Sequence, residues 1–244
     1  MNRHRKPMSC VDVLAVAGLW KQAGGRSEVE LGALEPTLWR DGSLDIVDLT
    51  RALVETGVNV TMTTNGSTLW KHAAALKKAG LSLLRISWHT TEPETFREIS
   101  GFGDYDTFKQ GICAAAEAGL RMSFNRVLLK GHTDDLPNQL DLIQRFNLRL
   151  KLLDLLWTPA LATVYQGLYQ DWRPIIRRHV LPRTALIERV SGVGGRQPII
   201  RANPFNGRVV EVGFKHRVEE AAALLLLAGF GRRYCRLAHS SFCF

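Results

Sequence analysis

The sequence predicts an α/β fold in which a parallel sheet curves around a polar inner face, followed by a small α+β C-terminal appendage. Three observations predict it. A unit recurs in which a helix ends at Gly or Asn and an apolar residue opens the next strand, as in ETGVNV, KAGLSL, EAGLRM and RFNLRL. Three of the strands carry polar side chains along one face. The first two strands end in Glu35-Pro36 and Thr64-Asn65-Gly66. They collect carboxylate, hydroxyl and amide groups at the rim where α/β barrels keep their chemistry.

After a basic start, Val11, Leu14, Ala15, Gly18 and Leu19 form the i, i+3, i+4, i+7, i+8 stripe of an amphipathic helix running to Gln22. Gly24-Gly25 stops it. The strand Val29 to Ala33 follows, and the Asp41 to Asp45 turn leads into a helix ending near Thr56. Gly57, Gly80, Gly119 and Asn147 then sit at successive helix ends, because the residue just past a helix favours a left-handed backbone that a Cβ penalises. Thr91 to Ser100 opens with the helix-start signature Thr-Glu-Pro-Glu, and Tyr105 to Ala118 is a long helix in which Cys113 reads as a packed thiol. The turn Lys130-Gly131-His132-Thr133-Asp134 leads into a helix through Phe146. Leu148 to Leu156 forms the last strand of this part, closing with Asp154 and Trp157-Thr158-Pro159.

Strands alternating with helices of this length imply parallel pairing through right-handed crossovers. Side chains alternate along a strand, so Val58, Val60 and Met62 share one face of VNVTMTTN while Asn59, Thr61, Thr63 and Asn65 share the other. LRISWH sets Leu84, Ile86 and Trp88 against Arg85, Ser87 and His89, and LRMSFN sets Met122 and Phe124 against Arg121, Ser123 and Asn125. A sheet covered by helices on both faces normally reads as continuous Val, Ile and Leu. The polar faces therefore point to a curved sheet lining a wet, partly open cavity, since unpartnered buried polar groups cost a few kcal/mol each.

With 244 residues, 45% of them hydrophobic, the chain can bury a sizeable core. No run approaches the ~18 apolar residues of a membrane span, and the start lacks the apolar region of a secretory signal, so the expected location is cytoplasmic. Cys10, Cys113, Cys235 and Cys243 are scattered and fit free thiols in a reducing compartment. The 32 basic and 23 acidic residues leave a net charge of +9, which suits an anionic small-molecule partner. A nucleic-acid partner rests on charge alone, because no aromatic residues interleave with the arginines in a recognisable module.

From Leu161 the αβ rhythm stops, dividing the chain into residues 1–160 and a basic extension, 161–244. Tyr165 to Val190 reads as two short helices separated by Pro182. The run Ser191-Gly192-Val193-Gly194-Gly195 reads as a linker, lacking the preceding strand that a dinucleotide-binding glycine loop requires. Ile199 to Arg201 and Val209 to Val212 flank Asn206-Gly207 as a hairpin, and a helix from Arg217 to Ala228 precedes the tail Gly231 to Phe244.

Between Val29 and Pro159 the motifs resemble the radical S-adenosylmethionine superfamily, in its branch containing the molybdopterin-pathway cyclic pyranopterin synthases. EPTLWRD resembles the GGEP motif, TTNG the third strand end, RISWHT the fourth, and FNRVLLKGHTDD the fifth strand and its loop; LKLLDLLWTP resembles the sixth. The resemblance implies a partial (β/α) barrel, here lacking its first strand, with S-adenosylmethionine across its mouth. A [4Fe-4S] cluster would cleave that cofactor to a 5'-deoxyadenosyl radical for hydrogen abstraction from a small or anionic substrate. Carried over by position, Glu35 and the backbone around Pro36 would receive the methionine amino group. Thr64 or Asn65 would flank the cofactor, and Ser87 and Asn125 would hydrogen-bond its carboxylate and ribose.

The sequence departs from the family at three places. Ala33-Leu34 stands where the family has Gly-Gly, and Ser87-Trp88-His89 stands where it often has Ser-x-Asp. The CxxxCxxC loop is absent, and a cluster needs three or four thiolates. The expectation is a truncated or degenerate member that performs no radical chemistry with these residues, and no metal ligands are assigned. The remaining alternatives are a non-catalytic barrel binding S-adenosylmethionine or a partner chain, and a nucleic-acid binder.

Overall fold

A computed structural model describes residues 7–32, 34–101, 103–146, 148–153, 166–180, 184–192, 198–204 and 210–213. In chain order the elements are α1 Cys10–Gln22, β1 Glu28–Leu31, β2 Arg40–Asp41, β3 Leu44–Asp45, α2 Ile46–Glu55, β4 Asn59–Thr64, α3 Leu69–Lys78 and β5 Leu83–Ser87. They continue with α4 Pro93–Ser100, α5 Tyr105–Glu117, β6 Met122–Val127, α6 Leu136–Arg145, β7 Leu150–Leu153, α7 Trp172–Ile175, β8 Thr184–Gly192, β9 Pro198–Pro204 and β10 Val210–Gly213. The chain forms two compact units, Met1–Ser87 with Ser100–Ser123, and Trp88–Ile99 with Phe124–Phe244.

In the first unit β1 runs parallel to β4, pairing Glu30 with Thr61, and β4 runs parallel to β5, pairing Thr63 with Arg85. The predicted faces hold. Val60, Met62, Leu84 and Ile86 are buried, whereas Thr63, Arg85 and Ser87 on the opposite face are only half-buried. α2 starts where Asp45 accepts from the Val47 and Asp48 amides while Asp48 caps the Asp45 amide, a reciprocal capping box. It buries Ile46, Leu49 and Leu53. The expected left-handed helix ends occur at Gly57, Gly80 and Gly119, with φ of 79°, 91° and 69°.

Two expectations about helix faces are corrected in this unit. α1 forms behind its Ser9 cap, but the predicted stripe is not its buried side: Val11 is 74% and Leu19 65% exposed, and the helix buries Cys10 and Ala17 instead. Periodicity located the helix without saying what covers it. Cys113 is exposed rather than packed, because α5 buries Phe108, Gly111 and Ala115, and Cys113 lies on the other side.

In the second unit Phe124 to Val127 of β6 pairs in parallel with Leu150 to Leu153 of β7. β10 adds in parallel to the other side of β7, and β9 and then β8 follow antiparallel. The two arms of the predicted hairpin pair antiparallel as β9 and β10, and residues 205–209 between them lie outside the described residues. The basic segment does not form two helices: α7 and a π-turn to Val180 are followed by the strand β8, whose backbone is satisfied by pairing along β9. Ser191 and Gly192 thus close a strand, β8, whose neighbour β9 runs antiparallel to it.

Ala33, Asn147, Asp154, Trp157-Thr158-Pro159, the rest of the glycine run, the helix predicted at Arg217 to Ala228, and the tail with Cys235 and Cys243 lie outside the described residues. Among the described residues no helix is long and apolar enough to cross a membrane.

Candidate functional site

Where β1 gives way to a 3-10 turn at Pro36–Leu38, the chain turns on Glu35, and the carboxylate of that residue ties the two strand ends together. Oε1 accepts from the Thr37 amide at 3.1 Å, the Thr37 hydroxyl at 2.5 Å and the Thr64 hydroxyl at 2.7 Å. Oε2 accepts from the Asn65 amide at 2.6 Å. Thr68 donates to the Thr37 hydroxyl at 2.6 Å, and the Thr64 hydroxyl accepts from the Gly66 amide at 3.0 Å. Glu35, Thr37 and Thr64 are all buried. Charge-assisted bonds of this kind are short and about twice as strong as neutral ones, so the knot sets both strand ends in one geometry.

Two backbone positions flank the knot. Leu34 has φ of 54°, the one positive φ at a non-glycine among the described residues, at a place where the resemblance expects glycine. Gly66 has φ of 81°, and a Cβ there would come within 2.8 Å of the Phe108 ring. Neither place welcomes a side chain.

Below the rim, the polar face of this unit carries charge. Thr63 donates to Glu30 Oε1 at 2.7 Å, and Arg85 Nη1 donates to the Thr61 hydroxyl at 3.0 Å and lies 3.3 Å from Glu30 Oε1. β5 then ends at Ser87, half-buried on the same face.

In the second unit, β6 was expected to bury Met122 and Phe124 and to present Asn125 on its polar face. Asn125 is half-buried there, opposite Lys151 of β7, and its carbonyl accepts from the Trp88 amide at 2.8 Å. The apolar face holds the residue that sequence reading missed. Arg126, on the Phe124 side, is 0% exposed and donates through Nη2 to Asp135 Oδ1 at 2.6 Å and the His132 carbonyl at 2.8 Å. Nη1 donates to Gln139 Oε1 at 3.0 Å and Asp135 Oδ2 at 3.3 Å. A charge at an apolar strand position, with an acid closing the following turn, was the available signal.

This buried pair holds the loop after β5. Asp135 Oδ2 accepts from the Thr90 hydroxyl, the Thr91 amide and the Thr91 hydroxyl, and the Gln139 amide donates to the Trp88 carbonyl at 2.8 Å. Desolvation raises the Asp135 pKa, but the Arg126 hydrogen bond and charge, with help from Thr91 and Thr90, outweigh it and leave the carboxyl below its ordinary range. Between these residues His89 Nδ1 accepts from the Val127 amide at 3.1 Å, which assigns the ring proton to Nε2. Burial, then the Arg126 charge, push the His89 pKa down to about 4. The imidazole is neutral at physiological pH.

Of the residues expected at the site, Glu35, Pro36, Thr64 and Asn65 come together in the knot, with Ser87 on the same unit's sheet; Asn125 belongs to the other unit. Thiolate ligands do not come together among the described residues. Among the described residues Cys10 is buried, its pKa raised by desolvation and by Asp41 and Asp48, Cys113 is exposed, and no three His, Cys, Asp or Glu residues cluster to hold a metal. The described residues do not fit a [4Fe-4S] cluster.

The sequence profile of the Radical SAM superfamily matches residues 1–143. GTP 3',8-cyclase of Rhodopseudomonas palustris is 30% identical over 192 residues, covering 77% of this chain and 55% of that protein. The enzyme of the same name from Petrotoga mobilis is 36% identical over 132 residues, covering 53% of this chain and 40% of its own. The chain thus spans about half the length of the relatives it matches over most of its own sequence. Among solved structures, Streptococcus suis SuiB superposes with a TM-score of 0.57 at 16% identity over 87% of this chain and 44% of that one. That likeness shows the fold, α/β with a parallel sheet.

Proposed function

The chain belongs to the radical SAM superfamily, whose cofactors are S-adenosylmethionine and a [4Fe-4S] cluster, and from that premise we propose that it binds S-adenosylmethionine at the rim where β1 and β4 end. The observation that carries this reading is the Glu35 knot, which presents the EPT and TTNG motifs as one pre-set surface. Among the described residues Oε2 of Glu35 has one partner, and it can accept a further bond from the methionine ammonium. The Thr64 hydroxyl donates to Glu35 and accepts from Gly66, so Thr64 fixes the rim beside the cofactor and keeps one acceptor lone pair for it. Asn65 uses Oδ1 on the Ser67 amide, leaving its NH2 group to donate to the cofactor. Ser87, half-buried on the same unit's sheet, supplies a hydrogen bond for its carboxylate or ribose.

The relatives named for GTP support a phosphorylated or otherwise anionic small molecule as the substrate class. The cysteine placement favours cofactor binding without cleavage by this 244-residue chain.

Calorimetric titration of S-adenosylmethionine tests the reading. The wild-type chain should bind, Asn65→Ala should weaken binding about tenfold, as the loss of a hydrogen bond to a charged ligand costs roughly 1.5–3 kcal/mol, and Glu35→Ala should abolish it. Absence of binding by the wild-type chain, or Asn65→Ala and Ser87→Ala variants that bind as well as it does, would overturn the proposal.

A further inference from the structure

Two strand arginines, Arg85 of β5 and Arg126 of β6, are built differently. Arg126 is wholly buried and spends both terminal nitrogens on a carboxylate, an amide oxygen and a carbonyl. Arg85 uses only Nη1, on the Thr61 hydroxyl and the Glu30 carboxylate, and its Nη2 and Nε protons are neither buried nor bonded among the described residues. Its pair with Glu30 is loose. The separation is 3.3 Å through a single oxygen, and the side chains are 24% and 52% exposed. Such half-solvated, monodentate pairs contribute about 0–1 kcal/mol, too little to explain a guanidinium held on this face by fold stability.

We propose that Arg85 is the docking point for a phosphate group of the ligand, and that Glu30 is a resident competitor which the phosphate displaces. The register supports it. Glu30 lies beside Thr61, and Thr63 beside Arg85, so β1, β4 and β5 bring one acid, two hydroxyls and one guanidinium onto a single half-open face below the rim. Arg85 holds three unspent N–H donors on Nη2 and Nε, the side of the fork that grips a phosphate through two parallel bonds. Thr61 holds the other side and so aims the fork. Thr63 ties Glu30 through Oε1, the same oxygen that faces Arg85, which leaves the carboxylate able to swing away on a hydroxyl tether. The inference deepens the proposed function, resting on it for the identity of the face a ligand enters, and it adds the group that selects phosphorylated over neutral molecules.

The test is calorimetric titration of inorganic tripolyphosphate, GTP and guanosine into the full chain, as wild type, Arg85→Ala, Arg85→Lys and Glu30→Gln. Arg85→Ala should weaken tripolyphosphate and GTP about tenfold while leaving guanosine unchanged, with Arg85→Lys between the two. Glu30→Gln should tighten both phosphates about threefold by removing the competing charge. A merely structural pair would give the opposite sign for Glu30→Gln. The proposal is overturned by wild-type protein that binds no tripolyphosphate, by Arg85→Ala protein that binds it normally, or by weaker binding to Glu30→Gln. Should Arg85→Ala not fold, Glu30→Gln decides by its sign. Tripolyphosphate carries no base or sulfonium, so loss of S-adenosylmethionine binding with these phosphate effects intact would fail the proposed function and leave Arg85 standing.

Discussion

His89 shows how much one residue's surroundings decide. The sequence places it on the polar face of the LRISWH strand, whereas β5 ends at Ser87 and His89 lies in the loop that follows. Its protonation was not legible, because it depends on the Val127 amide and on Arg126, thirty-odd positions away and assigned to no role in the sequence. The pH consequence has a definite sign. The folded pKa, about 4, lies below the ordinary 6.5, so the unfolded chain takes up the proton first as pH falls. His89 therefore contributes stability in full above pH 6.5 and loses it progressively down to about 4. Burial lowers His72 in the same direction, so the wild-type slope alone is not diagnostic. His89→Asn keeps an acceptor for the Val127 amide and cannot titrate. Urea midpoints at pH 7.5 and pH 5 should fall less in His89→Asn than in wild type; equal falls would refute the assignment.

At the scale of elements, helices and strands of the first unit were legible because each local signal agreed with its neighbours: glycine past the helix end, apolar residue at strand entry, alternation along the strand. The loop between β5 and α4 was not, since its conformation is imposed from α6. Asp135 and Gln139 hold the backbone at Trp88 and Thr91 and the hydroxyls of Thr90 and Thr91, and Arg126 holds the acid in turn. Nor was β8 legible, because a short segment with Leu, Ile and Val around Glu188-Arg189 satisfies either period until a neighbouring strand decides it. The clamp has a measurable cost of removal. Asp135→Asn leaves the Arg126 charge buried without its counter-ion and should destabilise the fold by about 3–5 kcal/mol in urea unfolding at pH 7. Replacing the pair together, Arg126→Met with Asp135→Leu, should recover much of that loss, as apolar substitutes for buried pairs commonly do. A loss under about 1 kcal/mol in the single variant would show that the pair carries no such burden.

For the molecule as a whole, family membership was readable from motif order, while the question of chemistry turns on thiols. Cysteine content can be counted in a sequence, but only the fold shows that Cys10 is buried against Asp41 and Asp48 with its thiolate disfavoured, and that Cys113 faces outward from α5. Reduction of S-adenosylmethionine requires an electron delivered at the sulfonium, and cluster ligation requires at least three thiolates converging at one place. The described residues offer two cysteines and no converging set. Anaerobic incubation of the 244-residue chain with iron, sulfide, dithionite and S-adenosylmethionine should therefore yield no 5'-deoxyadenosine above a protein-free control, while titration still detects bound cofactor. Chromatography of the quenched mixture reads the product directly. Turnover above the control would mean that the remaining cysteines, Cys235 and Cys243, assemble a competent site with one of the described thiols. Single Cys→Ser variants would then name the ligands by loss of the product and of iron stoichiometry together.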